Sequence, residues 1–144
     1  MKTFQFPLDK ALQWRRLELE LEEAHYKQQS AELADLDRRR AECEASGIRA
    51  EIQVREWNPV AANELTALGA YRLAVKTEEA DLARRRVECA RKLAEQEQQM
   101  FEARRRCRLL ERLKDRRLAE WRSACDRETE EIAAESYIAR WQHA

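Results

Sequence analysis

From Pro59 to Trp141 apolar side chains return every three or four positions: Leu65, Leu68, Val75, Leu82, Cys89, Leu93, Met100, Ala103, Cys107, Leu110, Leu113, Trp121, Ala124 and Ile138. The mean spacing is about 3.5 residues, the coiled-coil period. No proline follows Pro59, Gly69 is the one glycine, and Ala, Leu, Glu, Arg, Lys and Gln fill the rest. These are strong helix formers, so the pattern predicts one helix over about 60–141, on the order of 120 Å long. Such a helix cannot bury its own seam, and something must pack along it.

The first part of the chain supplies a partner. Leu8, Leu12, Leu19, Tyr26, Leu33, Leu36, Cys43, Ala50, Val54 and Trp57 form a second seam and predict a helix over about 8–57. Arg15, Glu22, Gln29 and Arg40 take core-type positions in it, where polar groups lower stability and set register. Ahead of it lies a short aromatic stretch with Phe4, Phe6 and Pro7; Asp9 favours a first helical turn through the helix dipole. Trp57-Asn58-Pro59 reads as a turn over 57–60. A residue before proline disfavours helical geometry, Asn58 can cap the second helix, and Pro59 suits its first position.

The expected fold is all-α: two long helices in an antiparallel coiled-coil hairpin, one domain over 1–144, the second helix longer with a C-terminal overhang. Folding at Trp57-Asn58 sets Leu33 against Leu82, Tyr26 against Cys89, Leu12 against Ala103 and Leu8 against Cys107. From about Leu110 the second helix then has no partner within the chain. It still carries Leu113, Leu118, Trp121, Ile132, Tyr137, Ile138 and Trp141, and an amphipathic helix left bare implies a partner. The first helix has a second apolar stripe, Trp14, Leu17, Leu21, Ala24 and Ala31, turned about 180° from Leu12 at 100° per residue.

Composition agrees. The chain has 144 residues, of which 39% are charged, with only two glycines and two prolines. That is too few turn formers for a sheet protein or a loop-rich enzyme. The 28 basic and 28 acidic residues cancel, but unevenly. Residues 104–127 hold ten basic and four acidic side chains, a net +6, whereas residues 128–144 hold one and four, a net −3. Arginine triplets at 38–40, 84–86 and 104–106 are interleaved with acids in a neutral chain, so no nucleic-acid partner is expected. No apolar run reaches the roughly 20 residues that cross a bilayer, and the opening residues lack the apolar core of a secretory signal. A cytoplasmic protein without direct membrane insertion is expected.

No phosphate loop, nucleophile motif or histidine pair is present. His25 and His143 are isolated, and adjacent glutamates such as Glu130-Glu131 point different ways on a helix. The expectation is no enzyme, no cofactor and no metal. Cys43, Cys89, Cys107 and Cys125 read as small apolar seam residues. The last three are eighteen residues apart, roughly 27 Å along a helix, too far to pair or share a metal within one chain.

Both ends carry a recognisable pattern. Phe4-x-Phe6-Pro7-Leu8-x-x-x-Leu12-x-Trp14-Arg15, followed by a Glu-rich helix, resembles the start of the flagellar export stalk proteins, the FliJ family. Leu110-Glu111-Arg112-Leu113-Lys114-Asp115-Arg116-Arg117-x-x-Glu120-Trp121, then Glu130-Glu131 and Glu135, resembles that family's end, with Ala134-Glu135 where the family usually has an acidic doublet. The resemblance implies a non-enzymatic stalk of the flagellar type III protein export apparatus. Such a stalk sits in the pore of the hexameric export ATPase and links it to the export gate membrane protein and to export chaperones. It is a monomer on its own, cytoplasmic, and peripheral at the inner face of the cell membrane when assembled. Residues expected to bind partners are Phe4, Phe6, Trp14, Leu17 and Leu21 with Leu113, Arg116, Arg117, Leu118 and Trp121. The alternative is a structural coiled coil that homodimerises through its overhang.

Overall fold

The computed structural model describes residues 2–57 and 61–143. Two helices account for nearly all of them: α1, Asp9–Glu56, and α2, Ala62–Gln142, with no strand among the described residues. They pack against each other as an antiparallel helical pair, as the two apolar seams require.

The helix ends follow local chemistry. The Asp9 amide donates to the Phe6 carbonyl at 3.1 Å, a turn that Pro7 helps set, and the Leu8 carbonyl accepts the first helical bond from Leu12 at 2.9 Å. Asp9 in the first turn and Arg55 in the last complement the dipole of α1. At its C-terminal end Trp57 donates to the Val54 carbonyl at 3.1 Å, a tightened last turn. The expected turn falls largely on Asn58, Pro59 and Val60, outside the described residues. The described start of α2 is capped differently from the expectation. The Ala61 carbonyl accepts from Glu64 and Leu65, while the Glu64 carboxylate accepts from the Ala61 amide at 3.0 Å. This is one half of a capping box, with alanine in place of the usual serine or threonine.

Two compact units can be described. The first, Glu22–Met100, joins most of α1 to the start of α2. Its seam buries Cys43, Leu82, Gln96 and Met100, with Tyr26, Leu33, Leu36, Val54, Val75, Cys89 and Leu93 half-buried. Polar bonds cross it. Gln96 Nε2 donates to the Glu22 carbonyl at 3.3 Å and to the Glu22 carboxylate. The thiols of Cys89 and Cys43 point at the carbonyls of Gln29 (3.9 Å) and Val75 (3.8 Å). Arg86 pairs with Asp37 and Arg72 with Glu51 at the rim. A Cβ at Gly47 would stand 3.4 Å from Val75, so the glycine marks a close approach of the helices, whereas nothing lies within 4 Å of one at Gly69. Arg40, expected in the seam, is exposed and pairs with Glu44 at 3.8 Å.

The second unit combines residues up to Leu21 with Phe101 onward. Here the expected register is corrected. Leu12 packs with Cys107 rather than Ala103, and Leu8 is 43% exposed. In the first unit the Cys89 thiol likewise points at the Gln29 carbonyl, three residues on from the expected Tyr26. The shift is about one helical turn. Between Glu56 and Ala62 the described residues, Trp57 and Ala61, are not helical.

Candidate interaction surface

The expectation that α2 is bare from Leu110 is overturned. Residues 2–6, without regular structure, and the turn at 7–8 lie along it as a strap. Phe6, 8% exposed, joins Leu12 and Cys107, at 0% and 3%, and Phe4, Leu19, Leu110 and Leu113 close around them. Phe4 and Trp121 meet as tilted rings, with centroids 5.9 Å apart and planes at 53°, a geometry that aromatic pairs favour. Lys114 Nζ donates to Asp9 at 2.7 Å, and Arg16 and Arg106 reach Glu111 and Glu18 at 3.4 and 3.5 Å. Strap and helix bound an open hollow of about 780 Å³ lined by Phe4, Pro7, Leu113, Arg117, Glu120 and Trp121 among others. The true overhang begins after Cys125. Every described residue from Asp126 to His143 is exposed, including Ile132, Tyr137, Ile138 and Trp141 at 55–77%.

The ten residues expected to bind partners therefore divide. Phe4, Phe6, Leu113 and Trp121 come together, but against one another. Leu118 is half-buried, and Arg117 pairs with Glu120 at 3.4 Å. Arg116 is exposed. Trp14, Leu17 and Leu21 stay outside, 58–59% exposed, at positions i, i+3 and i+7 on one face of α1 turned away from Leu12. The Arg15 guanidinium lies 4.8 Å over the Trp14 ring and covers one of its faces. This short, largely exposed apolar stripe is the candidate contact face.

A second feature was missed in the sequence. Phe101 and Leu109, 45% and 58% exposed, share the outer face of α2 with Arg104, Arg105, Arg108 and Arg112. In sequence all three arginine triplets are interleaved with acids, which hides the difference between them.

The thiols are free, Cys43 and Cys107 buried, Cys89 and Cys125 half-buried. Burial pushes the Cys43 thiol up from its ordinary pKa, helped by the negative charge of Glu78 and Glu79; burial does the same for Cys107, with Glu111 adding to it. No cluster of metal-ligating side chains occurs among the described residues, and no described helix is long and apolar enough to cross a membrane. Compared with protein-family models, with curated protein sequences and with solved structures, the chain matches none of them.

Proposed function

We propose that the chain is a non-enzymatic stalk of the flagellar type III export apparatus. It binds the pore of the hexameric export ATPase and connects it to the export gate and to substrate chaperones at the inner face of the cell membrane. The resemblance of its two ends to the FliJ family motivates the reading, and the paired helices are the architecture such a stalk needs. The observation that carries it is the exposed Trp14-Leu17-Leu21 stripe. The aromatics of the strap are spent inside the protein, and the stripe is an apolar surface beside them that a ring could grip, with Arg116 exposed on α2. Large exposed apolar side chains on a packed unit mark interaction sites, and tryptophan is a frequent anchor.

The test is binding of the full chain to the purified ATPase. Trp14→Ala, Leu17→Ala and Leu21→Ala together should weaken it at least about tenfold, since an aromatic anchor is often worth 2 kcal/mol or more. The melting temperature should hold, because the three side chains are largely exposed. Unchanged binding would remove this face from the reading. The exposed Ile132, Tyr137, Ile138 and Trp141 favour a second reading, homodimerisation through the overhang. Light scattering separates the two, a stalk being monomeric on its own.

A further inference from the structure

The three arginine triplets are not equivalent. Asp35 stands three residues before Arg38 and accepts from Arg38 and Arg39 at 2.5 and 3.0 Å. Asp81 stands three residues before Arg84 and holds Arg84 and Arg85 at 3.8 and 3.1 Å. At the same place before the third triplet stands Phe101, and the Arg104 guanidinium lies 5.7 Å from its ring centroid. An aromatic has replaced the carboxylate. Arg106 turns to Glu18 on α1. Arg105, Arg108 and Arg112 make no ion pair among the described residues. With Phe101, Arg104 and Leu109 they line a shallow groove of about 370 Å³ that has no acid in its walls. Helical periodicity puts Arg105, Leu109 and Arg112 opposite the buried Met100, Ala103 and Cys107, with the half-buried Arg104 at the edge of the seam. Glu102 and Asp115 flank the strip and form no ion pair with Arg105, Arg108 or Arg112.

We propose that this strip docks an acidic amphipathic helix of a partner protein. Like charges on successive turns repel, so Arg105, Arg108 and Arg112, with no acid to offset them among the described residues, cost the isolated protein something. Guanidinium groups a turn apart, about 5.4 Å along the axis, match carboxylates at i, i+3 and i+7 of a second helix and can hold them bidentately. Phe101 and Leu109, about two turns apart, offer apolar contacts to that helix's seam. The alternatives fit less well. A nucleic-acid strand gains its affinity by stacking bases on aromatic rings, and one face of the only ring here is taken by Arg104. A lipid surface needs a broad apolar face to insert, and the strip offers two side chains. The inference is independent of the proposed function, because it uses another face and none of the residues assigned to the ATPase contact.

The experiment measures binding of the full chain to a helical peptide whose leucine seam is flanked by glutamates. Controls are the same peptide with lysines, anionic phosphatidylserine vesicles and a single-stranded DNA oligonucleotide. The glutamate peptide should bind and weaken with salt, and the lysine peptide should not. Phe101→Asp, which gives the third triplet the carboxylate of the other two, should cut affinity about tenfold with helicity unchanged. Arg105→Glu, Arg108→Glu and Arg112→Glu together should abolish binding. Four results would each overturn the inference: equal binding of the two peptides, indifference to Phe101→Asp, tighter arginine-dependent binding of vesicles or DNA, or self-association of the wild-type chain that these variants remove, which would seat a second copy there.

Discussion

The two units are built from the same pair of helices, yet their seams differ in kind. In Glu22–Met100 two helices alone face each other. A two-helix seam is narrow, so Leu33, Leu36, Val75 and Leu93 remain half-buried and polar groups enter. Gln96 bonds to Glu22, and Gln29 Oε1 is buried without a hydrogen-bond partner. In the other unit the strap adds a third layer. Leu12 becomes fully buried there, the only large side chain so enclosed among the described residues, and the cluster around it is apolar. A few non-helical residues thus do what a further helix would otherwise have to do: they close the open side of a helix pair.

The sharpest way to break this comparison is truncation on each side. Leu12→Ala should cost about 3–5 kcal/mol, at the upper end for a buried leucine. Leu82→Ala, in the two-helix seam, should cost about 2–3 kcal/mol because the site can relax and hydrate. Urea midpoints of the full chain would measure both, and equal losses would mean that the strap adds no enclosure. Gln29→Leu should act the other way and raise stability by about 1–2 kcal/mol, since it removes a buried acceptor that nothing satisfies. A loss instead would mean that Gln29 stabilises the seam. Gly69→Ala should add up to about 1 kcal/mol from helix propensity, with open space around it. Gly47→Ala should gain less, because its new methyl meets Val75.

Smaller effects sharpen the picture. Cys43 and Cys107, one in each seam, should react with a thiol reagent more slowly than Cys125 near neutral pH, because their raised pKa lowers the thiolate fraction. Fast labelling of Cys107 under native conditions would show that the strap opens readily. Acid should touch the Glu22–Met100 unit. A hydrogen bond from Arg38 holds the Asp35 carboxyl below its ordinary pKa, and one from Arg91 does the same for Glu88. A carboxylate lowered on folding stabilises above its unfolded pKa, and that share is lost as pH falls through the folded value. A small loss of stability on acidification, reduced in an Asp35→Asn, Glu88→Gln variant, is the expected result. Glu88 is exposed and Asp35 only half-buried, so this is the least of the effects.

Helix identity and the start of α1 were legible. The seam period fixed the helical class, Pro7 and Asp9 marked the start of α1 within one residue, and the seam positions Leu19, Tyr26, Leu33, Cys43, Leu82, Met100 and Cys107 are buried or half-buried as read. Register was legible only to a turn, because it depends on how many residues the connection uses, and periodicity says nothing of that. The strap was hidden for another reason. Phe4 and Phe6 carry no period, and whether an aromatic stretch without one packs inside or faces a partner depends on where residues far along the chain come to lie. The Trp14-Leu17-Leu21 stripe was legible because it lies on a regular helix. The Phe101 strip was legible in principle, as the one arginine triplet without an aspartate three residues ahead, but comparison of all three was needed to see it.

The strap also bears on the order of events during synthesis. Asp9 and Lys114, which it brings together, are separated by 105 residues. At ribosomal speeds of about 5–20 residues per second, Asp9 is made about 5–20 s before its partner. Over that interval Phe4, Phe6, Leu12 and Trp14 on the nascent chain lack the α2 surface that covers three of them. Partners of the Glu22–Met100 unit, starting with Glu51 and Arg72, are complete much sooner. Closure of the strap is a late step in making the protein, and until α2 emerges Phe4 and Phe6 stay open to a chaperone at the ribosome.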